Sequence, residues 1–185
     1  MNHTNPETEQ KKIKKKGGWF KQEYLIVIVI ILIVLLVYIL ISPLFTNLVG
    51  QKAPDFTVIS VDGQNFTLSE SFGKVLVLDL MSTTCSACIK EMEHLQGIFQ
   101  RYSPNDVMII TIDIEKSDSN TELMTFKSEH GDNWTFARDT DDIANKYKVR
   151  YIPTIVIIDR DGIIRYWGAG ELSEQRMSEE IDKLI

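Results

Sequence analysis

The chain has 185 residues, and its 20 Lys and Arg against 26 Asp and Glu give a formal net charge of −6. Residues 1–24 carry six Lys and three Glu, net +3, so the rest of the chain is net −9. That acidity excludes a nucleic-acid partner for the main segment, and residues 51–185 suffice for one hydrophobic core but not for two ordinary domains.

The first 23 residues are polar and rich in Lys, with Lys11, Lys12, Lys14, Lys15, Lys16 and Lys21 ahead of an apolar run. That run, Leu25 to Ile41, is 17 residues without a charge. As a helix it would cover roughly 26 Å, close to the roughly 30 Å hydrocarbon core of a bilayer. It is longer than the apolar part of a cleaved signal peptide, and no small-residue cleavage site follows it. The expectation is a transmembrane helix over residues 24–42. The Lys cluster before it places the N-terminal tail, residues 1–23, in the cytoplasm, and attraction to anionic lipid accounts for that cluster. Residues 43–52 read as a linker, and residues 53–185 as an extracytoplasmic domain.

Strand and helix signals then alternate. Phe56 to Val61 and Asn65 to Leu68 read as strands joined at Asp62-Gly63. Lys74 to Leu80, KVLVLDL, is a near-continuous apolar run of the kind that forms a strand buried on both faces. From Cys85 the period lengthens: Cys88, Met92, Leu95 and Phe99 fall on one helical face, with Ser82, Thr83 and Thr84 as candidate N-caps. Val107 to Ile114 is another buried strand, followed by helices over Asn120 to His130 and Asp141 to Tyr147. Thr154 to Asp159 and Ile163 to Trp167 form a hairpin around Arg160-Asp161-Gly162, and Ser173 to Ile185 is a closing amphipathic helix. The predicted order is β-β-β-α-β-α-α-β-β-α, an α/β mixed sheet with helices on both faces.

Both cysteines, Cys85 and Cys88, lie in MSTTCSACIKEMEH, residues 81–94. A structural zinc site normally has four ligands. His3 lies across the predicted membrane, and at about 100° per residue His94 is half a turn round the helix from Cys85. A structural disulfide three residues apart closes too short a loop to stabilise much, because that stabilisation grows with loop length. A couple cycling between dithiol and disulfide remains. Unpaired N–H groups at a helix N-terminus favour a thiolate on Cys85, leaving Cys88 to resolve the mixed disulfide. Pro153 stands at the mouth of a strand, where it cannot donate to a sheet; it reads either as an ordinary trans proline or as a cis peptide at Ile152-Pro153 that turns backbone groups toward the cysteines.

From about Gly50 to Ile185 the chain resembles the thioredoxin-like superfamily, and within it the membrane-anchored TlpA/ResA-like thiol-disulfide oxidoreductases. The resemblance is carried by APDFTVISVDGQNFTLSESFGKVLVLDL, CSACIKEMEHL, NWTFARDTDDIANKYKVRYIPT and IVIIDRDGIIRYWGAG. It implies a thioredoxin-like fold, a redox pair at Cys85 and Cys88, and a cis proline at Pro153 beside which substrate docks, with Thr84 and Ile152 flanking the same place. It puts Asp79 where thioredoxins hold a buried acid that moves the proton of the second cysteine. Glu91 falls where TlpA/ResA-like proteins carry a glutamate near the disulfide. Read bare, Asp79 is a hydrogen-bonded strand-end residue and Glu91 a residue of a solvated helix face. The chain departs from the family at Thr84, where a tryptophan is usual, and at Ala87 and Glu93, where prolines are frequent.

The resemblance implies protein thiols or disulfides as partners, together with a membrane redox partner, and neither metal nor cofactor. Two rivals share parts of the pattern. A peroxiredoxin would need only Cys85, but Val77 and Ser82 stand where that family has Pro and Thr. A copper carrier of related fold would use both thiolates, but it spaces its cysteines more widely and adds a histidine.

Overall fold

The computed structural model describes residues 24–39, 48–131 and 133–185. The chain divides into two units, Met1–Asn47 and Leu48–Ile185.

In the first unit, residues 24–39 form a helix, α1, whose apolar side chains from Leu25 to Ile39 are all exposed. No helix among the described residues is long and apolar enough to cross a membrane. The expected span over 24–42 is described only as far as residue 39. The tail, residues 1–23, and linker residues 43–47 lie outside the described residues.

The second unit is built on a five-stranded sheet of order β5-β4-β3-β6-β7. Its strands are β3 (Val75–Met81), β4 (Val107–Asp113), β5 (Thr135–Arg138), β6 (Thr154–Ile158) and β7 (Ile164–Ala169). A short hairpin of β1 (Thr57–Ile59) and β2 (Asn65–Thr67) precedes them. The helices are α2 (Ser86–Arg101), α3 (Asn120–His130), α4 (Ile143–Lys146) and α5 (Glu174–Ile181). The mixed sheet with helices on both faces is as expected, with one strand added. β5 is four residues at the sheet edge with only Phe136 and Ala137 buried, too short to show a period.

β3 lies at the centre because every one of its residues is buried, as a run without polar alternation requires. It pairs with β4 in parallel and with β6 antiparallel, the latter in the register Leu80↔Thr154. Alternation along β3 divides the core in two. Val75, Val77 and Met81 face Cys88, Met92 and Leu95 of α2, together with Leu123 of α3 and Met177 of α5. Leu76, Leu78 and Leu80 face Val156, Ile143 and Tyr147 on the other side. By the same alternation Asp79 belongs to the α2 side.

Local chemistry explains the ends of these elements. Ser119 and Glu122 form a reciprocal capping box at the start of α3. In the β6–β7 turn, Asp159 Oδ1 accepts the N–H groups of Asp161 at 3.0 Å and Ile163 at 2.8 Å. Gly162 takes φ +81 in the same turn, a conformation that strains side-chain-bearing residues.

Leu95 is fully buried between α2 and the sheet. Leu95→Ala is expected to lower unfolding free energy by about 3 kcal/mol, read by chemical denaturation.

Candidate active site

The antiparallel pairing of β3 and β6 sets the C-terminal end of one strand beside the N-terminal end of the other. The loop Ser82 to Cys85 leaves β3 there, and Ile152-Pro153 enters β6 there. Cys85 and Cys88 are joined as a disulfide, with their Cα atoms 5.2 Å apart. Cys85 is half-buried and Cys88 fully buried.

Ser82, Thr83 and Thr84 do not cap α2, contrary to expectation. Cys85 itself is the N-cap, with extended backbone angles, and its sulfur accepts the N–H of Cys88 at 3.2 Å. Its carbonyl also accepts from Ile89 at 3.1 Å. The three preceding hydroxyl residues are held in a network of their own. The consequence is direct: negative charge on Cys85 would meet both an N–H donor and the positive end of the helix dipole.

The peptide bond Ile152-Pro153 is cis, the second of the two readings open from sequence. The Ile152 carbonyl oxygen lies 4.0 Å from Cys85 Sγ. Pro153 is buried, Ile152 half-buried and Tyr151 exposed, so this edge of the site presents an aromatic ring beside a backbone carbonyl. Thr84 is exposed on the other side of Cys85. It borders a groove shared with Ile89 of α2 and with Thr121, Thr125 and Phe126 of α3.

Asp79 and Glu91 lie beneath this surface, both with no exposure. Asp79 Oδ2 accepts from the Thr111 hydroxyl at 3.1 Å, and Thr111 Oγ1 in turn accepts from Trp134 Nε1 at 3.1 Å. Asp79 Oδ1 has no hydrogen-bond partner. Burial first, and the charge of Glu91 second, hold Asp79 well above the usual carboxylate range, against the opposing bond from Thr111. Glu91 does not lie on the solvated face of α2. Its Oε2 accepts the Leu172 N–H at 2.8 Å while Oε1 has no partner, and burial pushes its carboxyl up to about 7. Burial thus raises both acids, one on β3 and one on the helix that carries the disulfide.

His94 is paired with Glu171, whose Oε1 lies 3.1 Å from Nε2. Among the described residues no group of three or more His, Cys, Asp or Glu is arranged to hold a metal ion. Sequence reasoning missed Thr111, Trp134 and Leu172, which position the two acids, and Asp118, which holds the loop before Cys85. A signal existed only for Thr111, a hydroxyl inside the apolar run VMIITIDI.

With this geometry in place, similarity to known proteins is informative. Over 137 residues, 74% of this chain and 78% of the relative, it is 28% identical to the thiol-disulfide oxidoreductase ResA of Bacillus thuringiensis strain Al Hakam. Over 133 residues, 72% of this chain and 78% of the relative, it is 24% identical to the thioredoxin-like protein YneN of Bacillus subtilis strain 168. Among solved structures, a thioredoxin-like protein from Aeropyrum pernix superimposes with a TM-score of 0.62 at 23% identity, covering 70% of this chain and 89% of that one. The AhpC/TSA family model matches residues 49–167, more than half of the sequence. The chain therefore belongs to the AhpC/TSA family and is a thioredoxin-like, TlpA/ResA-like member of it.

Proposed function

We propose that this protein is a membrane-anchored thiol-disulfide oxidoreductase whose 53–185 domain works outside the cytoplasm and reduces disulfides of other proteins. The observation that carries the reading is the Cys85–Cys88 disulfide at the N-terminus of α2, with the carbonyl of the cis Ile152-Pro153 bond 4.0 Å from Cys85 Sγ and two acids, Asp79 and Glu91, buried in the same domain. The ResA and YneN relatives support the activity. An anchor is supported by α1, whose apolar side chains are exposed all round, and by the Lys cluster before it.

In the proposed cycle the dithiol form begins with a thiolate on Cys85, favoured by the helix end. It attacks one sulfur of a substrate disulfide; that S–S bond breaks, a mixed disulfide forms, and the first substrate sulfur leaves as thiolate. Cys88 then gives up its proton. Glu91 lies one helical turn beyond Cys88, and with its carboxyl at about 7 it is divided between both forms near neutrality, so it can take that proton. Asp79, whose carboxyl burial holds well above the usual carboxylate range, serves as the inner relay. The Cys88 thiolate attacks Cys85 Sγ, releasing the second substrate thiolate and restoring the Cys85–Cys88 disulfide. The substrate gains two electrons, and a membrane redox partner must return the protein to its dithiol form. Thr84 and Ile152 flank the attacked sulfur, and Pro153 shapes the groove between them. No cofactor enters the cycle.

A second reading, peroxide reduction at Cys85, is favoured by the AhpC/TSA match. It requires one cysteine, whereas the proposed cycle requires both.

Cys88→Ser is expected to trap mixed disulfides through Cys85, recovered with the membrane fraction and seen on non-reducing gels, whereas Cys85→Ser traps none. If Cys88→Ser instead consumes peroxide at the wild-type rate and traps nothing, the second reading replaces the first. The reduction potential is expected nearer the roughly −270 mV of thioredoxin than the roughly −120 mV of a strong oxidant, measured against glutathione. For pH, Glu91 holds its proton more tightly folded than unfolded. Its contribution to stability is therefore full below its unfolded value and is lost as pH rises through about 7. Glu91→Gln, which keeps an oxygen for the Leu172 N–H, should raise stability at pH 8 by about 1–2 kcal/mol and flatten the pH 5–8 slope in chemical denaturation.

A further inference from the structure

Asp118 lies in the loop between β4 and α3, directly before the α3 N-cap Ser119, and only 6% of it is exposed. It does not cap α3, a task the Ser119 side chain performs. Its carboxylate turns instead to the segment that delivers Cys85. Oδ2 accepts from the Thr83 hydroxyl at 2.6 Å, from the Thr83 N–H at 3.1 Å and from the Ser82 hydroxyl at 3.4 Å. Ser82 Oγ accepts the Thr84 N–H at 3.3 Å and lies 3.1 Å from Thr84 Oγ1. Ser82 has one hydroxyl hydrogen, and with that directed to Asp118 the Thr84 hydroxyl is the donor in this last contact. The Ser82 carbonyl then accepts the Cys85 N–H at 3.2 Å. Every residue from Ser82 to Cys85 is thus tied into a network anchored on a side chain more than 30 positions away in the sequence.

Building on the oxidoreductase reading above, we infer that Asp118 is a positioning residue for Cys85, fixing the Ser82-Thr83-Thr84 turn and, through its negative charge, limiting how readily Cys85 ionises. The two effects are physically separate. The hydrogen bonds hold Cys85 at the start of α2, where the Cys88 N–H reaches its sulfur. The charge acts against the helix end, because a carboxylate near a thiol disfavours the thiolate. The surroundings of Asp118 are themselves acidic: Asp113 and Glu122 both feel its charge, with Glu115 beside Asp113, and Arg138 is the cation acting on Asp113 and Glu122. Of these groups, Asp118 is the carboxylate bonded directly to the turn that delivers Cys85. A protein tuned in this way keeps a less stabilised thiolate, which makes its dithiol form the more reducing.

The test uses full-length protein in a Cys88→Ser background, where iodoacetamide alkylation against pH reports Cys85 alone and needs no substrate protein. It therefore reads Asp118 whether or not mixed disulfides are trapped. Asp118→Asn keeps an oxygen for Thr83 and removes the charge. It is expected to lower the alkylation midpoint by about half a pH unit or more, and, with Cys88 restored, to shift the glutathione equilibrium toward the dithiol by about threefold. Thr83→Val keeps the shape and the Asp118 charge but removes the donor that partly neutralises it, so the midpoint is expected to move upward. It also serves as the second variant should Asp118→Asn fail to fold. If the Asp118→Asn midpoint and glutathione equilibrium match the parent while thermal stability falls, Asp118 only holds the loop and the inference is overturned. A Thr83→Val midpoint that is unchanged or lower also counts against it.

Discussion

The second unit depends on one pairing, the antiparallel registration of β3 against β6 with Leu80 opposite Thr154. Parallel strands would have placed Cys85 and Pro153 at opposite ends of the sheet. Antiparallel ones bring together groups 67 residues apart, so that the Ile152 carbonyl stands 4.0 Å from Cys85 Sγ. The pairing is strongly specified because β3 and β6 are buried throughout. A one-residue slip would turn Asp79 into the opposite core and put a leucine under α2.

That burial also shapes the electrostatics. Two carboxyls placed where water cannot reach resist ionisation, and each leaves one oxygen without a partner. Asp113, at the end of β4, follows the same pattern, with burial pushing it up to about 7. Such groups cost stability at high pH, a cost that a purely structural core would avoid with a leucine. In the proposed cycle Glu91 has a use for this cost, since a carboxyl pushed up to about 7 can exchange protons with a thiol. In the turn before Cys85, Asp118 adds a carboxylate bonded to Ser82 and Thr83. The proposed chemistry at Cys85 is thus set by opposed influences, helix end against carboxylates.

Much of the frame was legible in the sequence. KVLVLDL and the run VMIITIDI read as buried strands, and the 3.6-residue spacing of Cys88, Met92 and Leu95 identified the buried face of α2. Failures fell where local pattern is weakest. β5 has two buried residues and no period. The capping of α2 was assigned to hydroxyl residues because they are the usual caps, whereas the backbone places Cys85 there and diverts the hydroxyls to Asp118. Glu91 could be read as solvated because a helix period tolerates a charge at the border of its apolar face. In the fold it is buried and accepts the Leu172 N–H, 81 positions away.

By itself the sequence determined that two cysteines three apart open a helix after a buried strand, that a proline begins another strand, and that an acidic domain follows a basic, apolar N-terminal segment. These are properties of periodicity and composition, which local interactions impose on the chain. The tertiary structure alone decided that Ile152-Pro153 is cis and faces Cys85, that Glu91 and Asp79 are both sealed from water, and that Asp118 holds the turn before Cys85. Each of these rests on contacts between residues dozens of positions apart. Burial and hydrogen-bond partnership at such distances depend on how sheet and helices close over one another, which no local pattern encodes.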